Sequence, residues 1–188
     1  MGSLNQRKGL VTIRAMNKYY AFLRGINVGG RVVKMDALTE IFLSLKLKNV
    51  KTFIQSGNVI FESTEKEKKA LAGKIEKKLL KELGYEVPAL LRTEEELKEL
   101  IKSDPFGGMK AKTYVVFIAE ELREKPKLSH VSEKDGVKIL GIRKADIFCE
   151  SLPLKAGRWG FPNAYIEKQF KVPATTRNWN TVTKILGK

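Results

Sequence analysis

The run Tyr19-Tyr20-Ala21-Phe22-Leu23 is almost continuously apolar, short enough for a strand and unbroken enough to be covered on both faces. Gly25, Gly29 and Gly30 interrupt the chain after it. Met35, Leu38, Ile41, Phe42 and Leu45 then recur at helical spacing and predict a first helix. Val50 to Ile54 and Val59 to Phe61 read as strands joined through Ser56-Gly57-Asn58, a good hairpin-turn composition. Thr64-x-x-Glu67 has the capping-box pattern, and Leu71, Ile75, Leu79 and Leu83 follow on one face of a long helix that Gly84 should end. Tyr85 to Leu91 predicts a strand that Pro88 pushes toward a sheet edge. Strand, helix, strand, strand, helix, strand is the order of the split βαβ, ferredoxin-like unit.

The second half repeats the flavour less clearly. Thr93-x-x-Glu96 is another capping box, leading into Leu97, Leu100 and Ile101. Asp104 to Gly108 predicts a loop and Tyr114 to Ala119 a strongly apolar strand. Glu121 to Asp135 is polar, holds Pro126, and reads as loop with one helical turn at most. Val137–Ile142 and Asp146–Ser151 form a hairpin pattern around Arg143-Lys144-Ala145, Pro162 opens a short helix through Phe170, and Trp179, Val182, Ile185 and Leu186 stripe a last helix. The expected class is therefore α+β, two ferredoxin-like halves on one chain. The boundaries read as 16–92 for the N-terminal half and 93–188 for the C-terminal half. Residues 1–15 have no helical stripe and no acid, and are set aside as an expression leader or a disordered tail.

Composition narrows the classes further. The 188 residues include 43% hydrophobic and 30% charged side chains, which suits a globular chain and excludes collagen and coiled coil. One cysteine, Cys149, excludes a disulfide scaffold, and with the one histidine, His130, it excludes a zinc finger. Cys149 alternates with Ile147 on a predicted strand and reads as a small buried hydrophobe. No apolar run approaches the roughly 20 residues that span a bilayer, so no membrane partner is expected and the cytoplasm is the default compartment. The net charge of +15 is uneven: residues 64–104 carry ten basic and ten acidic side chains, whereas residues 105–188 carry sixteen basic and eight acidic. That excess points toward anionic partners if the two ends meet in space.

Three polar segments exceed what a core requires. Arg24-Gly25-Ile26-Asn27-Val28-Gly29-Gly30 leaves a buried strand, and its glycines could turn backbone N–H groups into an anion-binding nest. Its bland alternative is a tight turn with positive φ at the glycines. Gln55, Ser56 and Asn58 gather at a hairpin end, where amide and hydroxyl groups both donate and accept, or simply bond their own backbone. In Thr175-Thr176-Arg177-Asn178-Trp179-Asn180-Thr181, Thr175 or Thr176 would cap the last helix and Arg177 would fall in its first turn. A cation is disfavoured there by the helix dipole, which suggests an anionic partner, either a carboxylate or a ligand.

These segments, from Phe22-Leu23-Arg24-Gly25-Ile26-Asn27-Val28-Gly29-Gly30 through Thr52-Phe53-Ile54-Gln55-Ser56-Gly57-Asn58-Val59 to Thr175–Thr181, resemble the bacterial family called domain of unknown function 1697. The resemblance implies a small cytoplasmic α+β protein with two ferredoxin-like halves. It implies no activity.

The candidate ligand-binding set is Arg24, Asn27, Gly29, Gly30, Gln55, Ser56, Asn58, Thr176, Arg177 and Asn178, with no metal and no cofactor expected. The expected function is binding of an anionic ligand, nucleic acid or nucleotide, without strong catalysis. Two alternatives stay open. One is an enzyme acting on a small phosphorylated or carboxylated metabolite; the other is that the polar motifs hold the two halves together. Tyr19, Tyr20 and Trp159, the last beside Arg158 in the Lys155–Gly160 loop, are the candidates for base stacking.

Overall fold

The computed structural model describes residues 15–55, 57–122 and 130–188. Residues 1–14 of the expected leader, Ser56, and the middle of the polar 121–135 stretch lie outside those residues. Among the described residues the chain builds two antiparallel sheets and five α-helices, an α+β protein.

The first sheet contains β1 (Asn17–Leu23), β2 (Lys48–Thr52), β3 (Asn58–Ser63) and β4 (Ala89–Thr93), in the order β2-β3-β1-β4. Helices α1 (Met35–Ser44) and α2 (Lys68–Leu83) lie between β1 and β2 and between β3 and β4 in sequence. After α3 (Glu94–Lys102), the second sheet contains β5 (Thr113–Ile118), β6 (Val131–Ser132), β7 (Val137–Arg143), β8 (Asp146–Ser151) and β9 (Ala174–Asn178), in the order β6-β7-β8-β5-β9. Helix α4 (Pro162–Phe170) precedes β9, and α5 (Trp179–Ile185) follows it. Strands β7, β8, β5 and β9 thus take the places of β2, β3, β1 and β4. The second half departs from the first in two ways: β6 is added at the edge, and no helix stands between β5 and β7 among the described residues.

Three apolar layers explain why β1 and β5 read as continuous hydrophobic runs. Tyr19, Ala21 and Leu23 turn one way, against α1 and α2, where Leu38, Phe42, Leu71, Ile75 and Leu79 meet them. Tyr20 and Phe22 turn the other way, into a layer shared with Val115 and Phe117 of the second sheet and with Leu97, Leu100, Val182 and Ile185 of α3 and α5. Val116, Ile118, Ile147 and Cys149 face the far side, under Tyr165 and Ile166 of α4. At the centre, Phe22 and Phe117 stack face to face, 4.0 Å between centroids and 8° between planes. Each large side chain so buried contributes about 1.5–3 kcal/mol of hydrophobic stabilisation, so the shared layer binds the two sheets together.

Two local expectations are corrected. Helix α2 is capped by Glu67, whose side chain accepts from the Lys69 N–H, and not by Thr64, because the helix begins only at Lys68, after an extended Glu67. The last helix starts at Trp179 with Asn178 as its N-cap, and Thr175, Thr176 and Arg177 belong to strand β9, paired with β5. Arg177 therefore never meets the helix dipole as a first-turn residue. Two β-branched threonines beside an apolar strand suit an edge strand, and that pairing overrides their capping preference.

Candidate functional site

Strand β9 carries Arg177 at the edge of the second sheet, and its side chain crosses to the first. It is 7% exposed. Its Nε donates to Asn58 Oδ1 at 2.6 Å, Nη1 to Thr175 Oγ1 at 2.7 Å and to the Thr176 carbonyl at 2.9 Å, and Nη2 to the Leu23 carbonyl at 2.9 Å and the Gly57 carbonyl at 3.4 Å. Burial pulls the guanidinium pKa down to about 10, so the group is still a cation at neutral pH. Asn58 is fully buried beside it and donates its own amide to the Phe53 carbonyl at 2.9 Å.

The same device occurs in reverse. Arg92 on β4, 3% exposed, reaches from the first sheet to the second. It donates to the carbonyls of Ile118 and Ala145 at 3.0 and 2.7 Å, and its Nε to Asp146 Oδ1 at 2.9 Å. Leu23 and Ile118 end β1 and β5, while Asn58 and Asp146 open β3 and β8, so the two arginines hold equivalent positions. Arg177 also lies over the Phe22 ring at 5.7 Å and Arg92 over the Phe117 ring at 5.2 Å. With the stacked phenylalanines between them, they form one file of four side chains, Arg177, Phe22, Phe117 and Arg92. The difference is chemical: Arg92 meets a carboxylate, Arg177 an amide.

That difference accompanies a difference in space. The pocket that Arg92 itself lines holds about 40 Å³, and Lys68 pairs with Glu96 beside it. Around Arg177 an open cleft of about 380 Å³ is lined by Arg24, Asn27, Gln55, Phe161, Asn163 and Thr176, among others. Arg24 forms a two-pronged ion pair with Glu167 of α4, its Nη2 2.8 Å from Oε2. Burial pushes the Glu167 carboxyl up, but Arg24 and the Ala174 N–H outweigh it and hold the group below the usual carboxylate range. Thr176 donates to Asn163 Oδ1 at 3.1 Å. Asn27 braces its own loop, donating to the Gln55 carbonyl at 3.0 Å and accepting from the Val33 N–H at 2.8 Å.

The structure thus brings Arg24, Asn27, Gln55, Thr176 and Arg177 to one cleft. Asn58 lies buried behind Arg177, and Asn178 is occupied as a helix cap, accepting from the Asn180 N–H at 2.9 Å. Gly29 and Gly30 have positive φ of 62° and 83°, sit exposed, and lie outside the cleft lining, as a tight turn would place them. Ser56 falls outside the described residues. Phe161, Asn163 and Glu167 were missed by sequence reasoning, although an exposed-looking aromatic beside Trp159-Gly160 was a usable signal. Cys149 is buried, and desolvation pushes its thiol up to about 12, which suits a packing role. Among the described residues no group of three or more His, Cys, Asp or Glu side chains could hold a metal, and no helix is long and apolar enough to cross a membrane.

Comparisons with known proteins place the fold. The family model described as Protein of unknown function (DUF1697) matches residues 16–148, which ends before the Thr175–Thr181 segment. The solved structure of conserved bacterial protein SP0830 from Streptococcus pneumoniae is similar at 25% identity, with a TM-score of 0.66, over 92% of this chain and 98% of that one. No curated protein matches the sequence.

Proposed function

The chain belongs to the family of proteins of unknown function DUF1697, and from that premise we propose that this member binds an anionic ligand of nucleotide size in the cleft beside Arg177, without strong catalysis of its own. One observation carries the reading: residues from three distant segments, 23–28, 55 and 175–177, converge on one open cleft rather than dispersing over the surface. A volume of about 380 Å³ lies in the roughly 300–1,000 Å³ range of small-molecule sites. The buried Arg177 cation sits at the cleft's floor, Arg24 at its wall is partly open to solvent, and Phe161, 56% exposed, offers a ring to a base. Glu167, which pairs with Arg24 of the cleft wall, is already committed to Arg24 and the Ala174 N–H, which leaves it a poor general base. The reading of each half as a ferredoxin-like unit, divided near residue 92, is part of the same proposal and rests on the shared strand order.

A second reading has its own observation. Arg177 spends its donors on oxygens of both halves, as a latch would, and Arg24–Glu167 also ties β1 to α4. Removing either arginine lowers stability under both readings, so the informative variants are Gln55→Ala and Phe161→Ala, which touch the cleft and not the latch. Thermal unfolding is measured with adenosine and guanosine monophosphates, a sugar phosphate and inorganic phosphate. A nucleotide at a hundred times its Kd adds about 2.7 kcal/mol of stability. A midpoint raised by a nucleotide in the wild type and lost in Phe161→Ala supports cleft binding. An unshifted wild-type midpoint across the panel leaves the latch reading alone.

A further inference from the structure

Outside the cleft, residues 152–161 form a loop of unusual construction for a surface segment. Leu152 donates to the Gly136 carbonyl at 2.8 Å, Gly160 to the Leu152 carbonyl at 3.0 Å, and Leu154 to the Arg158 carbonyl at 2.8 Å. Pro153 and Trp159 form an isolated antiparallel bridge, and the buried Ser151 hydroxyl donates to the Gly160 carbonyl. Gly160 rests directly on the Asp135–Gly136 backbone, where a Cβ would collide with both carbonyls. The loop is therefore held on both sides, yet it turns two aromatic rings outward: Trp159 is 46% and Phe161 56% exposed. The Lys112 ammonium lies over the Trp159 ring at 3.9 Å, and Phe161 meets Tyr114 edge to face at 5.7 Å.

Large exposed rings cost solvation unless something covers them, and a braced loop that keeps them out is suited to a partner with flat faces. The surrounding charge selects which partner. Segments 105–119 and 151–166 contain no acidic residue, and their charged side chains, Lys110, Lys112, Lys155 and Arg158, are basic and exposed. Aromatic rings beside Lys112 and Arg158 match alternating bases and phosphates. Duplex bases hide their faces in the stack, whereas a single strand presents them.

We infer that Trp159 and Phe161, with Lys112 and Arg158 beside them, form a stacking platform for single-stranded nucleic acid. The inference deepens the cleft reading, because Phe161 belongs to both surfaces; Trp159 belongs to the platform alone. The strand lays one base on the Trp159 face away from Lys112 and the next on Phe161, with phosphates toward Lys112 and Arg158.

The test measures fluorescence anisotropy of labelled oligo(dT) and oligo(U), each of about 15 nucleotides, against the full chain at low and moderate salt. Trp159→Ala is expected to weaken binding about tenfold, the loss of one stacked base, while Trp159→Phe keeps most of it. Lys112→Ala lowers the slope of log affinity against log salt by about 0.7. The DNA and RNA arms decide which sugar is preferred. Mononucleotide-induced stabilisation, read in the same Trp159→Ala protein, stays unchanged because Trp159 lies outside the cleft lining, so the two readings fail separately. Equal binding of Trp159→Ala, equal affinity for a duplex of the same length, or failure to bind either oligonucleotide at low salt overturns the platform. So does retention on anionic phospholipid vesicles without oligonucleotide binding.

Discussion

Gly57 shows how one position can be fixed twice. Its φ is +70°, and a Cβ there would stand 2.5 Å from Ile26 Cγ2 and 3.2 Å from Leu23 Cβ. Strain from the left-handed backbone and overpacking against the end of β1 both follow, at about 1 and 1–3 kcal/mol respectively. Gly30 has φ of +83° but nothing within 4 Å of its Cβ position, so the backbone term stands alone. Urea unfolding should place Gly57→Ala about 2–4 kcal/mol below the wild type and Gly30→Ala only about 1 kcal/mol below it. Comparable losses in the two variants would mean that the contacts of the 57 hairpin with Ile26 and Leu23 do not constrain the fold.

At the scale of elements, the two capping boxes in the sequence behave differently. Thr93 accepts from the Glu96 N–H while the Glu96 carboxylate accepts from the Thr93 N–H, so α3 starts where its motif says. Thr64 is exposed, four residues before α2, and the cap has moved to Glu67. Thr93→Ala should therefore cost about 1 kcal/mol and Thr64→Ala close to nothing, measured by shifts in the urea midpoint. Helices with a clean stripe, such as α1 and α2, were legible because their partners lie on one face at a fixed spacing. Strand β9 was not legible, since Thr175-Thr176-Arg177 is polar and only its pairing with Tyr114–Ile118 makes it a strand. The candidate site divides the same way. That its segments are unusually polar could be read from the residues; that Arg177 bonds Asn58 across 119 positions could not, because no local rule reaches that far.

For the whole molecule, the layer between the sheets decides cooperativity. Tyr20, Phe22, Ile60 and Leu90 are buried in a layer they share with Leu97, Leu100, Val115, Phe117, Val182 and Ile185. Unfolding should therefore be one transition: Trp159 and Trp179 fluorescence, which reports the second half, and hydrogen exchange of β1 and β3 amides, which reports the first, should give coincident midpoints. Separate midpoints would mean two independent domains. The contact of Arg177 with the Leu23 carbonyl spans 154 residues, and this has a consequence for synthesis. A ribosome adding about 5–20 residues per second takes roughly 8–30 s between making the first strand and making the arginine that closes it. Through that interval the inner aromatic face of the first sheet lacks Val182 and Ile185, the last part of its cover. Closure of the core thus waits on the last stretch of translation, and chaperone demand should rise as elongation slows.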